Sequence, residues 1–452
     1  MNALAEELNR TLAGSVASRL LSEMGKRMYF PKGIISQSAE AGEKAYRFNA
    51  TIGMACAGGH PLILDSMRAG LPTLSPEEAV SYASTSGSMP LRKRWRAELD
   101  RKNPSLRGKL ASLPVVAPGL TAGISFVADL FLDADDEAVM PDLYWPNYKL
   151  VVEERKGASG RLFAAFALGA DGAVAGLNVA GLEAALRDAG KRSAARGGSA
   201  KAVCILNFPN NPTGYTPTLE EADAVVAALV RIAADGTAVL AVVDDAYFGL
   251  QYEEGLLAES IFARLADAHP NILAVKVDGP TKEDYVWGFR LGFVTFASAG
   301  LGGEALEALV KKLMGVIRSS VSSSSTPAQS LLLKSLDDPR TEAQKARFRA
   351  ALEERYRLAK RFLAARALPP SLKALPFNSG YFMSFECFGF SAEELRKKLL
   401  DERGIGTVSM QDRYLRVAFS GVDADGIDEL FSEIAAAARE LGTGSEKAVG
   451  KA

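Results

Sequence analysis

The sequence predicts an α/β fold with a large, mostly parallel sheet sandwiched by helices, and a smaller α+β domain beside it. Two observations carry this. From about residue 90, short apolar runs alternate with segments of helical periodicity, the pattern of βαβ units covered on both faces. After about residue 325 the pattern changes to one long charged helix followed by short alternating strands. The first thirty or so residues read as an amphipathic helix and a turn at Pro31–Gly33. Runs at 113–117, 138–140, 202–207, 238–243, 272–277 and 292–296 read as buried strands, with a helix at 219–233 between two of them. A helix over 342–366 precedes strands at 381–386 and 414–419. The small, charged end, 442–452, reads as frayed.

Composition narrows the function. Apolar residues are 48% and charged residues 24% of the 452, and the net charge is −1. That balance excludes a disordered chain and argues against nucleic acid or an anionic membrane as the main partner. The basic run 92–109 and the Gly/Ser-rich basic run 191–201 read as solvated segments. Cys56, Cys204 and Cys387 are too few and too scattered for a disulfide framework, and two histidines cannot build a three-histidine metal site. No apolar stretch is long enough to span a membrane and no signal peptide is evident, so the expected compartment is the cytoplasm. Proton chemistry then falls to Lys, Tyr, carboxylates or a cofactor.

Four strand ends carry unusual polar residues, and ligands of open α/β sheets gather at such ends. Ala117–Gly123 is a small-residue turn opening a helix, suited to an anion. Asn207–Gly214 holds two consecutive Asn between prolines. Asp244-Asp245-Ala246-Tyr247 closes the most apolar strand, where an Asp serves either as a helix cap or as a buried carboxylate seeking a cation. Thr281-Lys282 follows another buried run, with Arg290 eight residues on. A lysine desolvated there becomes a nucleophile toward carbonyls. Singly, each also reads as an ordinary turn, cap or surface residue. Together they suit an aromatic aldehyde phosphate with a ring nitrogen and a phenolic oxygen.

Asn-Pro-Thr-Gly at 211–214, Asp-Asp-Ala-Tyr at 244–247 and Thr-Lys at 281–282 with Arg290 resemble, in order and spacing, the class I/II aminotransferases. These are fold-type-I pyridoxal-phosphate enzymes such as the aspartate and aromatic aminotransferases. The resemblance runs from about Pro31 to Leu441 and implies a large cofactor domain, 61–325, and a small domain from both chain ends, 1–60 and 326–452. It implies pyridoxal 5'-phosphate as cofactor, with Lys282 carrying it as a Schiff base and shuttling a proton. Asp244 would pair with the ring nitrogen, and Asn211 and Tyr247 would bond the phenolic oxygen. Leu120, Thr121 and Arg290 would bind the phosphate, and Trp145 would stack on the ring. Arg416, in Tyr414–Phe419, would grip the substrate carboxylate beside Gly53. Tyr82 would reach the phosphate of a second subunit, making the protein a homodimer with shared sites.

Four positions depart from the pattern. Gly279 stands where the family usually carries a hydroxyl for the phosphate, so that ligand is missing or replaced. Pro280, Tyr285 and Trp287 also differ from the usual lysine signature. The expected reaction is transfer of an amino group from an amino acid to a 2-oxo acid by a ping-pong route. A carbon–sulfur lyase on the same scaffold is the alternative. A ligand-sensing domain of a transcription regulator is remote, because too little chain precedes residue 50 for a DNA-binding domain.

Overall fold

A strand covered on both faces needs no polar alternation, and six such runs lie side by side in the middle of the chain. A computed structural model describes residues 34–449 except 52, 59, 171–172 and 197–199, with a few positions between 2 and 10. The expected N-terminal helix lies largely outside the described residues, as does the turn at Pro31–Gly33. The large sheet has seven strands. In chain order they are β1 (Val115–Ala117), β2 (Glu137–Pro141), β3 (Ser159–Phe163), β4 (Lys201–Asn207), β5 (Ala238–Asp244), β6 (Ile272–Asp278) and β7 (Gly292–Ala297). Their spatial order is β1-β7-β6-β5-β4-β2-β3. All neighbours are parallel except β7, which runs antiparallel to both β6 and β1. The carboxyl ends of β1, β4, β5 and β6 therefore share one edge.

Side chains alternate between the two faces of a strand. Leu240 and Val242 of β5 and Val275 and Val277 of β6 pack toward Ile124 and Val127 of helix α2 (Leu120–Phe131) and toward helix Gly303–Ser320. Val239, Ala241 and Val243 join the opposite core, with Trp95 and Leu99 of helix α1 (Met89–Lys102) and helices Val179–Ala195 and Leu219–Ala234. Trp95 stacks on Phe293 of β7 with ring centroids 4.2 Å apart.

A second sheet of four antiparallel strands follows: β8 (Leu372–Ala374), β9 (Phe382–Cys387), β10 (Val408–Met410) and β11 (Tyr414–Ala418). Helix α3 (Thr341–Ala365) and helix Ile427–Val449 meet over it, Phe431 packing on both Phe362 and Phe385. Phe48–Asn49 pairs in parallel with Ile405–Gly406, which brings an N-terminal segment alongside this sheet.

Three expectations are corrected. The basic run 191–201 is not simply a loop: helix Val179–Ala195 extends into it and β4 begins at Lys201. Arg192 and Lys201 find Glu137 and Asp136, each at 2.6 Å, which makes ordered structure favourable there. The last helix runs to Val449 instead of fraying from Gly442. In the run 92–109, Arg92 turns inward, donating to the carbonyl of Pro114 at 2.6 Å and to Ser86 Oγ at 3.0 Å. The edge strand β3 and the hairpin of Phe166–Leu168 with Val174–Leu177 were not expected; their residues are half-buried or exposed, and the single apolar run 162–168 is split between the end of β3 and the first hairpin strand.

Candidate active site

The shared edge of β1, β4, β5 and β6 opens into a cavity of about 210 Å³, lined by Leu120, Thr121, Trp145, Asn207, Asn211, Asp244, Ala246, Tyr247, Thr281, Lys282 and Arg290. Asp244, the last residue of β5, is 3% exposed. Its carboxylate accepts hydrogen bonds from the Tyr148 hydroxyl and, at 3.1 Å, from the Ala246 N–H. Burial raises its pKa, and these neutral donors and the more distant Lys282 oppose the rise only in part. A buried carboxylate with neutral partners is suited to a cationic ring nitrogen.

Asn207, at the end of β4, ties two strand ends together. It donates from Nδ2 to the Asp244 carbonyl at 2.8 Å and accepts the Asn211 N–H at 2.7 Å. Asn211 Oδ1 accepts from Arg416 Nη1 at 3.0 Å, so the amide's donor end is left for another partner. Arg416 projects from β11, donates from Nη2 to the Thr51 carbonyl at 3.1 Å and lies 4.2 Å over the Phe382 ring. It is 2% exposed, and its buried Nε has no hydrogen-bond partner among the described residues. Burial lowers its pKa to about 10. A guanidinium so placed, with no carboxylate to satisfy it, is a receptor for one. Gly53 stands close by: a Cβ there would come within 3.0 Å of Phe382 Cζ and 3.5 Å of the Tyr247 hydroxyl.

Lys282 sits on a short helical turn, Pro280–Glu283, after β6. Its amine lies 4.9 Å over the Tyr247 ring. Burial, reinforced by Arg290, lowers its pKa to about 8 against the pull of Asp244. Burial likewise raises the Tyr247 phenol. At the other end of the cavity, helix α2 begins after Gly119, whose φ is +95°. A Cβ on Gly119 would fall 2.6 Å from Arg290 Nη2, and one on Gly292 2.7 Å from the Gly119 carbonyl carbon. The bare backbone brings a helix N-terminus and a guanidinium together, an arrangement for an anion. Thr281 adds a buried hydroxyl with no partner among the described residues.

A sequence model of the family described as aminotransferase class I and II matches residues 57–434. The chain belongs to that family. Its members use pyridoxal phosphate, and this chain is an aminotransferase. The chain is 21% identical over 365 residues to a probable N-acetyl-LL-diaminopimelate aminotransferase of Bacillus subtilis (strain 168), covering 78% of this chain and 81% of the relative. An aminotransferase structure from Anaerococcus prevotii superposes with a TM-score of 0.79 at 22% identity, over 92% of this chain and 98% of that one. A Pyrococcus horikoshii kynurenine aminotransferase does so at 0.74 and 17% identity, over 95% and 99%.

In this aminotransferase the cavity gathers Leu120, Thr121, Trp145, Asn211, Asp244, Tyr247, Lys282 and Arg290. Arg416 and Gly53 adjoin it through Asn211 and Tyr247. Two further residues do not line this chain's own cavity. Tyr82 is 98% exposed and does not line the cavity. Gly279 does not line it either; a Cβ there would meet the Leu291 carbonyl oxygen at 2.8 Å and Leu120 Cδ1 at 2.9 Å, so the backbone leaves no room for a side-chain hydroxyl. Sequence reasoning passed over Asn207, Thr281 and Tyr148, although the first two lie inside motifs it had singled out. Thr51 and Phe382 carried no signal of their own. Among the described residues no cluster suits a metal ion, and no helix is long and apolar enough to cross a membrane.

Proposed function

We propose that this aminotransferase holds pyridoxal 5'-phosphate in the cavity between Asp244, Lys282 and Arg290. It would then transfer the amino group of an α-amino acid to a 2-oxo acid. One observation carries the reading: a buried carboxylate and a desolvated amine open into the same small cavity, beside a helix N-terminus. The residues present fit the group. Asp244 would pair with the ring nitrogen, the Asn211 amide and the Tyr247 phenol would bond the ring oxygen, and Trp145 would cover a ring face. The α2 N-terminus, Thr121 and Arg290 would receive the phosphate.

When bound, the cofactor supplies a conjugated ring that accepts the electron pair left at the substrate Cα. The chain's own residues do the rest. Arg416 orients the substrate by its carboxylate, in bidentate fashion. Lys282, with a pKa of about 8, is poised near neutrality to take and return the Cα proton. Asp244 keeps a proton on the ring nitrogen. The named relatives act on different amino donors, so Arg416 sets the class of donor as an amino acid with a free α-carboxylate. The near-complete exposure of Tyr82 and of Val80, at 82%, supports a homodimer in which Tyr82 reaches the second copy's phosphate. Three unpaired cysteines support a cytoplasmic setting.

The test is borohydride reduction of the cofactor-loaded protein followed by peptide mass spectrometry. Wild type should carry the cofactor on Lys282. Lys282→Ala should carry none and lose turnover by at least about 10³-fold. Cofactor fixed to any other lysine defeats the proposal.

A further inference from the structure

Two carboxylates follow Lys282 directly, and nothing in the transfer of an amino group calls for them. Glu283 pairs with Lys102 at 2.6 Å and with Lys345 at 3.5 Å. Asp284 pairs with Lys345 at 3.0 Å. Asp284 is fully buried, and its Oδ2 has no hydrogen-bond partner among the described residues. Lys102 is the last residue of α1 and Lys345 lies in the first turns of α3. The turn that carries Lys282 is thus held by ammonium groups from two helices that belong to different parts of the fold.

The surroundings make the hold specific. Tyr285 adopts a left-handed backbone, φ 57°, unusual for a bulky residue. Its ring packs edge-on against Phe348 of α3 at 5.0 Å and against Trp287 at 5.9 Å. Tyr381, next to β9, donates its hydroxyl to the Lys282 carbonyl at 3.2 Å. On the upstream side, Asp278 accepts from the Trp95 indole of α1 at 3.2 Å. Burial alone would raise Glu283, yet Lys102 and Lys345 hold it down to about 2. Asp284 is raised by burial, against Lys345. Glu342 at 3.8 Å is the remaining acidic neighbour of Lys345.

We propose that Lys345, with Lys102, is a positioning residue for amino-group transfer: by clamping Glu283 and Asp284 to α3 and α1, it fixes the turn from which the Lys282 amine enters the cavity. This rests on the reading of Lys282 as the cofactor-bearing lysine. The charged groups that act on that amine are Asp244 and Arg290, not Glu283 or Asp284. The clamp therefore works through geometry. Without the Lys345 charge, Asp284 must take up a proton or swing toward water, because an unpaired buried carboxylate is costly. Either response loosens the turn and lets the amine two residues upstream reach solvent.

The test compares Lys345→Gln, Lys345→Arg and the neutral pair Lys345→Gln/Asp284→Asn with wild type in the full chain. In cofactor-free protein, the pH midpoint for labelling Lys282 with an amine reagent is read by peptide mass spectrometry. It should rise by about one unit or more in Lys345→Gln, and Lys345→Arg should return it close to wild type. In loaded enzyme, kcat should fall about tenfold with KM for the amino donor little changed. A lower melting temperature with an unmoved Lys282 midpoint and unmoved kcat overturns the proposal. Should Lys345→Gln fail to fold, Lys102→Gln, which takes from Glu283 its partner at 2.6 Å, must show the raised midpoint, while the neutral pair, which orphans no carboxylate, stays close to wild type; an unmoved midpoint in Lys102→Gln overturns the proposal equally. Failure of the parent reading is separate, because it appears in wild type as cofactor fixed to another lysine.

Discussion

Lys276 and Lys282 lie six residues apart, and Asp244 and Asp245 are consecutive, yet the two lysine–aspartate sets have opposite characters. Asp244 and Asp245, adjacent at the end of β5, point to opposite faces of the sheet; Lys276 projects from β6 to Asp245, and Lys282 enters the cavity from the turn beyond β6. On the α1 side, Lys276 is 1% exposed and paired with both Asp245 and Asp278, while Ser260 donates to Asp245 and Trp95 to Asp278. Burial works against its charge, but two carboxylates hold its pKa above the ordinary lysine value. On the cavity side, Lys282 is half-buried with no carboxylate within ion-pairing distance among the described residues, and it falls to about 8. Desolvation acts against the charge of both lysines. The placement of a counter-charge decides which is a structural ion and which a reactive amine.

Three variants test that contrast. The largest effect is expected from Lys276→Met, which leaves Asp245 and Asp278 without a cation. Stability should fall by about 3–5 kcal/mol in urea unfolding, with cofactor binding retained by the folded fraction. A loss below about 1 kcal/mol would erase the distinction between the two lysines. Next is Lys282→Met in cofactor-free protein. A lysine lowered to about 8 on folding, from an ordinary 10.5, is protonated in the unfolded chain and neutral in the folded one between those values. Wild-type stability should therefore gain on that of Lys282→Met as pH rises from about 8 to 10.5, by up to about 1.4 kcal/mol per unit. Parallel pH profiles would show the amine to be solvated. The smallest effect is expected from Tyr148→Phe, which removes a hydroxyl donor from Asp244 and lets burial raise the carboxyl further. Cofactor affinity should weaken about tenfold, read by equilibrium dialysis.

The same contrast marks what was legible beforehand. Strands such as Ala238–Asp244 announce themselves because both faces are buried, and polar residues stand out where such runs stop. Asp244, Lys282 and the Asn207–Gly214 turn were found on that ground. Lys276 was not, because one lysine inside an apolar run gives no sign of the carboxylates across the sheet. Tyr148 and the bridging role of Asn207 were hidden for a related reason: both reach Asp244, which is distant from them in sequence. The hairpin of Phe166–Leu168 and Val174–Leu177 escaped because short, half-exposed strands have little periodicity. The missing hydroxyl at Gly279 was visible, but its cause is three-dimensional.

That cause reaches beyond one position. Gly119, Gly279 and Gly292 meet where the first turn of α2, the end of β6 and the start of β7 converge, and a methyl group on any of them would strike a neighbouring chain segment or Arg290. Any variation at this corner must therefore be concerted. A side-chain hydroxyl at 279 requires the Leu291 and Leu120 contacts to open first, and a methyl at 292 requires the Gly119 backbone to move. The three positions are sterically interlocked, so bulk added at one is transmitted to the others.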